Sequence, residues 1–136
     1  VFRAFFDDAL ANAGALIAID VASGAVIGSS RYQGLDEADG GSVEIGWTFL
    51  ARSHWGGTFN HEMKRLMLAH ALASVAECRF LVGEINTRSR RALERIGARL
   101  TGRTEERIMA GGVVIPHLTY VITVGDIASG PLMRGA

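Results

Sequence analysis

The stretch from Val43 to Leu72 constrains the fold more than any other part of the chain, because its hydrophobic period changes once and abruptly. Val43, Ile45, Trp47 and Phe49 alternate with Glu44, Gly46, Thr48 and Leu50, the two-residue period of a strand with one apolar side. Beyond the turn Trp55-Gly56-Gly57-Thr58, Phe59, Met63, Leu66, Met67, Ala71 and Val75 recur every three or four positions. That is the stripe of a helix, with Glu62, Lys64, Arg65 and Glu77 expected on its polar side.

Such a junction suits an anion. The first N–H groups of a helix have no intrahelical partner and lie at the positive end of its dipole. Gly56 and Gly57 carry no side chain that would keep a phosphate away. Thr58 stands where an N-cap is expected, and Lys64 and Arg65 add to the local field. A diphosphate is the expected ligand, although a purely structural turn would show the same pattern. Neither G-x-x-x-x-G-K-[ST] nor G-x-G-x-x-G occurs in the chain, so a P-loop hydrolase and a dinucleotide fold both lose support.

The other elements follow in order. Phe2, Phe5, Phe6 and Leu10 fall on one helical face, ended by Asn12 to Gly14. Ala15 to Asp20 and Ala25 to Tyr32 form a hairpin about Ser23-Gly24, and Leu35 to Ser42 reads as an exposed loop. Arg79 to Glu84 is a short strand, which makes the centre of the chain a βαβ crossover. A second helix opens at Asn86-Thr87-Arg88-Ser89 and stops at Gly97. Two strands fill Leu100 to Thr123 around Gly111-Gly112, the last with one strongly apolar side. Pro116 argues for an edge or a bulge there. The fold class is α/β (α+β): a mixed, mostly antiparallel sheet with flanking helices.

Size and charge set further bounds. The 136 residues suit one domain over 1–127 with a tail at 128–136, and fourteen basic residues balance fourteen acidic ones. No general attraction to nucleic acid or membrane follows from that balance. Cys78, expected at the end of the long helix, has no second cysteine to pair with. No segment is apolar enough to span a membrane and no signal segment opens the chain, so a cytoplasmic protein is expected. The four histidines are scattered and H-E-x-x-H is absent, which speaks against a metal site.

Three segments together resemble the GNAT superfamily of N-acetyltransferases, in particular its ribosomal-protein N-terminal acetyltransferase branch. They are Glu44 to Leu50, Trp55 to Asn60, and Asn86 to Gly97. The resemblance covers nearly the whole chain and implies a first strand and helix preceding Val1. The glycine turn departs from the family's usual Q/R-x-x-G-x-G/A form, reading Ser53-His54-Trp55-Gly56-Gly57-Thr58.

What the resemblance implies is acetyl-CoA as co-substrate, with no metal, and an amine acceptor that is a peptide N-terminus or a small molecule. The pantetheine arm would pair with the backbone of Thr48, Phe49 and Leu50 along a strand splayed from Phe80 to Glu84. A free N–H near Thr48 would stabilise the oxyanion. The pyrophosphate would lie on the amides of Trp55, Gly56, Gly57, Thr58, Phe59 and Asn60. Asn86 would hold the pantetheine amides, and the arginine run that includes Arg91 would meet the 3′-phosphate in part.

Ser89 matches the position that protonates the leaving thiolate, and as plain sequence it is also an ordinary helix N-cap. Glu44, expected to share a face with Gly46 and Thr48, is the first candidate for the base, ahead of Glu84, Glu105 and Glu106. Direct attack in a ternary complex is expected. A homodimer is compatible with the family. A module that binds acyl-CoA without turnover is the alternative, and RNA binding is disfavoured because no aromatics interleave with the arginines.

Overall fold

Period-two alternation becomes an antiparallel meander in the first of two compact units, Val1–Cys78 and Arg79–Ala136. The computed structural model describes residues 2–4, 15–55 and 58–129. Strands β1 (Phe2–Ala4), β2 (Ala15–Asp20), β3 (Val26–Asp36) and β4 (Ser42–Leu50) pair in sequence order, each antiparallel to the next. Phe2 to Ala4 is therefore strand, not the start of the expected helix, because it takes its backbone partners from β2. The rest of that expected helix, Phe5 to Gly14, lies outside the described residues. Gly24 closes the β2–β3 turn at φ 72°, a conformation in which a Cβ is penalised. β3 runs on to Asp36, so the expected loop shrinks to a short 3-10 turn at Ala38–Gly40.

Helix α1 (Phe59–Leu72) belongs to the same unit. The buried Tyr32 hydroxyl donates to the Met67 carbonyl, which fixes the face of β3 that α1 covers. Directly opposed residues of antiparallel strands share a face. Ile45 opposite Tyr32, Leu16 opposite Ser30 and Leu50 opposite Gly28 therefore also face the helix. With Ala18, Met63, Met67, Leu68 and Ala71 they are buried. Lys64, expected on the polar side of α1, is buried as well. A Cβ at Gly28 would collide with the Phe49 carbonyl oxygen, so that position admits only glycine without a shift of β4.

Strand β5 (Glu77–Gly83) begins at the end of the first unit and runs into the second, where it, β7 (Val114–Thr123) and β6 (Arg99–Ile108) lie in that spatial order. Cys78 is a buried residue of β5, not the end of the long helix. Both sides of β7 are buried at His117, Thr119, Tyr120, Val121 and Ile122, where one apolar side was expected. β7 is flanked by β5 and β6, so Pro116 does not mark an edge. Instead the Pro116 carbonyl accepts from the Glu84 N–H at 2.9 Å. The irregularity sits on β6, where the pairing slips between Leu100 and Thr104.

Helix α2 (Thr87–Arg95) is closed at both ends. Asn86 caps its start through the Ser89 N–H, and Gly97, at φ 95°, ends it. The Ala98 N–H bonds the Leu93 carbonyl and the Gly97 N–H bonds that of Glu94, the paired bonds of a Schellman stop. A last helix, α3, spans Val124–Ser129.

Tyr32→Phe removes one buried hydrogen bond and is expected to lower stability by about 1 kcal/mol, whereas Gly28→Val, which forces strands apart, costs on the order of 3 kcal/mol. Urea midpoints measure both, and a Gly28→Val protein as stable as the parent would contradict the close approach.

Candidate active site

The centre of the site on the first unit is an irregularity in β4. Ser29 stands opposite Phe49 and Arg31 opposite Gly46, so two residues of β4, Trp47 and Thr48, face Ser30 alone. One extra residue in a strand is a β-bulge, and it exchanges the two faces for every residue beyond it. Val43 and Ile45 are buried before the bulge and Leu50 after it, while Phe49 is 66% exposed. The regular alternation expected of Val43, Ile45, Trp47 and Phe49 fails at this point. Thr48 now lies on the α1 side with Ser30, and Glu44 lies on the opposite face beside Gln33, its cross-strand partner. Glu44 and Thr48 thus do not share a face. Glu44 is nevertheless buried, at 6% exposure.

Beneath Thr48 runs a short polar chain. The Lys64 Nζ donates to Thr48 Oγ1 at 2.9 Å, Thr48 Oγ1 lies 2.8 Å from Ser30 Oγ, and Ser30 Oγ reaches the Gly46 carbonyl at 3.4 Å. Burial of the ammonium pulls the Lys64 pKa down to about 8, since desolvation disfavours the charged form.

The turn from β4 to α1 is clamped by a second polar pair. A 3-10 turn at Arg52–His54 presents His54, whose Nε2 is 3.2 Å from Asp20 Oδ2 at the end of β2. Ser53 Oγ lies 2.8 Å from His54 Nδ1, and the imidazole meets the Phe59 ring edge-on at 4.6 Å. The hydrogen bond from His54 holds the Asp20 carboxyl below the usual carboxylate range. Trp55 Nε1 donates to the Leu50 carbonyl at 2.6 Å and the Trp55 N–H to that of Arg52 at 3.1 Å. Among the predicted contacts the Trp55 amide is therefore already used.

Thr58 occupies the N-cap position of α1 but its side chain makes no capping bond. Nearby, His61 Nε2 is buried with no hydrogen-bond partner. Phe59 and Asn60 are half-buried, and Gly56 and Gly57 lie outside the described residues.

On the second unit, Asn86 and not Ser89 is the cap of α2, and its Oδ1 accepts from the Ser89 N–H at 3.2 Å. Ser89 sits in the first turn, and Arg91 is exposed. Arg90 instead turns inward, donating from Nε to Tyr120 Oη at 3.2 Å and from a terminal nitrogen to the Glu84 carbonyl at 3.1 Å. Tyr120 in turn donates to Glu94 at 3.0 Å. Among the described residues no group of three His, Cys, Asp or Glu could hold a metal ion, and no helix is long and apolar enough to cross a membrane.

Sequence reasoning missed both polar groups of the first unit. The signal for Lys64 was its place between Met63 and Met67 in a stripe wide enough to include it. Asp20 and His54 are 34 positions apart and carry no local signal.

Two pH effects follow. Asp20 has a lowered folded pKa, so its contribution is present above the unfolded value of about 3.9 and is lost as pH falls through the folded one. The stability gap between the parent and His54→Ala should shrink in acid, read by thermal melts across that range. Lys64 behaves oppositely. Its folded pKa of about 8 lies below the unfolded value, so the unfolded chain binds more protons from there to about pH 10 and stability rises with pH. The full effect is on the order of 3 kcal/mol. Lys64→Met should remove that rise, and an unchanged slope would show that Lys64 is not the group responsible.

The acetyltransferase (GNAT) domain model matches residues 1–99. No curated protein matches the chain. Among solved structures, a GCN5-related N-acetyltransferase from Brucella melitensis aligns with TM-score 0.76 and 23% identity over 88% of this chain, which spans 54% of that one. RimJ from Mycobacterium smegmatis, solved with CoA-disulfide, gives 0.73 and 22% over 91% of this chain and 60% of its own. The ribosomal-protein-S5-alanine acetyltransferase from Vibrio fischeri gives 0.70 and 13% over 84% and 63%. This chain thus spans about half to two thirds of each of these three. The likeness is one of fold, and the family model supplies the membership: the chain belongs to the GNAT acetyltransferase domain family.

Proposed function

We propose that the chain carries the acetyl-CoA site and catalytic groups of a cytoplasmic N-acetyltransferase that moves an acetyl group to a primary amine, either a protein N-terminus or a small amine. The observation that carries this reading is the family match over residues 1–99, which includes the bulged strand, the glycine turn and α1. Thr58 makes no side-chain cap at the start of α1, so no cap side chain competes with a pyrophosphate for the first helical N–H groups. The Trp55 N–H is bonded to Arg52, and the anion contacts therefore fall to Gly56, Gly57, Thr58, Phe59 and Asn60. Lysines and arginines need not touch it, because the dipole and the amides supply the field.

In this mechanism the pantetheine arm lies along the backbone of Thr48, Phe49 and Leu50, and the thioester oxygen takes a hydrogen bond from an N–H beside Thr48. The neutral amine attacks the thioester carbon, forming the C–N bond. The tetrahedral oxyanion collapses, the C–S bond breaks, and the thiolate receives a proton from Ser89. Glu44 accepts the proton lost by the amine through a water molecule; its burial beside Gln33 suits a base kept apart from bulk solvent. Asn86, whose Oδ1 is engaged at the helix cap, has its amide N–H groups left to donate to pantetheine carbonyls. Arg91, exposed on α2, meets the 3′-phosphate. Two copies of the chain forming a dimer are compatible with this scheme.

Isothermal titration of acetyl-CoA, with desulfo-CoA as control, tests the reading. Saturable binding is expected, weakened at least about tenfold by Gly57→Glu, which is about 1.4 kcal/mol. Glu44→Gln and Ser89→Ala are expected to lower kcat about a hundredfold while coenzyme affinity stays near that of the parent. Turnover untouched by either substitution would remove both from their roles. Binding with no transfer to any peptide or amine would favour a module that holds acyl-CoA for regulation.

A further inference from the structure

We propose that Lys64 is a positioning residue that fixes the bulged segment Gly46 to Phe49 in the shape that receives the coenzyme, an inference that rests on the reading of β4 given above. The argument begins with proton counting. An ammonium only donates and a backbone carbonyl only accepts. With Lys64 donating to Thr48 Oγ1 at one end, and the Gly46 carbonyl accepting from Ser30 Oγ at the other, one polarity satisfies the chain. The Thr48 hydroxyl must then give its single proton to Ser30. Without the ammonium the Thr48 hydroxyl loses the donor that ties the chain to α1.

The chain also has a place in the backbone that needs it. Its two strand anchors, Gly46 and Thr48, bracket the residue pair that stands opposite Ser30 alone. A bulge disrupts the ladder locally, so fewer regular backbone bonds hold the strand to its shape there. A side-chain tether from the helix below adds to them. Ser30, Thr48 and Lys64 come from three different elements, β3, β4 and α1, and close on the bulge from the helix side. The opposite face and the backbone edge of the strand are left to Glu44, Phe49 and the ligand.

The choice of residue supports a positional role over a stabilising one. Lys64 lies among Met63, Met67 and Leu68, all nearly inaccessible, where a methionine would pack without desolvating a charge. Replacing a buried charged group by an apolar one of similar volume is commonly neutral or stabilising. Lys64 thus gives up stability at a place where its ammonium acts on one strand. A lysine serving only the core would show the reverse balance.

The test compares the parent chain with Lys64→Met, Ser30→Ala and the double variant. Thermal melts, backbone amide hydrogen exchange and acetyl-CoA titration are measured for each. In Lys64→Met the melting temperature is expected to hold or rise at pH 7, while the amides of Trp47, Thr48 and Phe49 exchange about tenfold faster and coenzyme affinity falls about tenfold. Ser30→Ala should change the same amides less, and the double variant should be no worse than Lys64→Met, because both break one chain. Unchanged exchange at those amides in Lys64→Met overturns the proposal. So does a general loss of protection through α1 and β2 with a lower melting temperature, which is the signature of a core residue. Should the parent itself fail to bind acetyl-CoA, the enzyme reading falls on that arm alone, and exchange at Trp47 to Phe49 still decides whether Lys64 fixes the bulge.

Discussion

One extra residue in β4 governs what the first unit can present. Because side chains alternate along a strand, an added residue reverses the facing of everything after it. Before the bulge, Ile45 packs toward α1 opposite Tyr32; after it, Leu50 does so opposite Gly28. Both ends of β4 remain anchored in one core, yet Phe49 is turned out to 66% exposure between them. Gly28 belongs to the same device, since only a residue without a Cβ lets β3 approach the Phe49 carbonyl so closely. The strand can therefore be pinned firmly to β3 and still offer backbone at its irregular stretch.

Much of this architecture was legible because it rests on local periodicity. The β2–β3 hairpin is written in the alternation on either side of Gly24, and α2 in the Asn86 cap and the Gly97 stop, which are local signals with fixed offsets. The change from strand to helix between β4 and α1 was likewise visible. The bulge was not. Val43, Ile45, Trp47 and Phe49 keep a perfect two-residue period in the sequence, and only pairing with β3 shows where the count slips. The face shared by Glu44 and Thr48 was lost with it. Lys64 was misplaced because a charge in an amphipathic helix is assigned to solvent by default, and Pro116 was read as an edge signal because the neighbours of β7 in the sheet are set by topology. Asp20 and His54 could not be matched, since nothing in either local segment points to the other.

The two long-range polar groups of the first unit differ in kind. Asp20 and His54 join the end of β2 to the turn before α1, and the His54 ring then packs on Phe59. That pair is part-buried and bears on the turn. Lys64 and Ser30 are buried, and through the exposed Thr48 they act on the strand before the turn.

Helix α1 breaks local rules that α2 obeys. α2 satisfies its first N–H groups with Asn86 and its last carbonyls with a glycine stop. α1 begins at a Thr58 that makes no cap, carries a buried His61 nitrogen without a partner, and buries a lysine in its apolar stripe. The strand before it carries an extra residue. These departures fall between Gly46 and Lys64; elsewhere in the unit the pairing also slips at Ala18–Ile19 and Gln33–Asp36, and Asp39 is left-handed at φ 53°. Sequences that specify one structure keep such conflicts rare and place them where a ligand resolves them. In the proposed reading, an anion at the start of α1, where Thr58 makes no side-chain cap, satisfies the first of these conflicts directly.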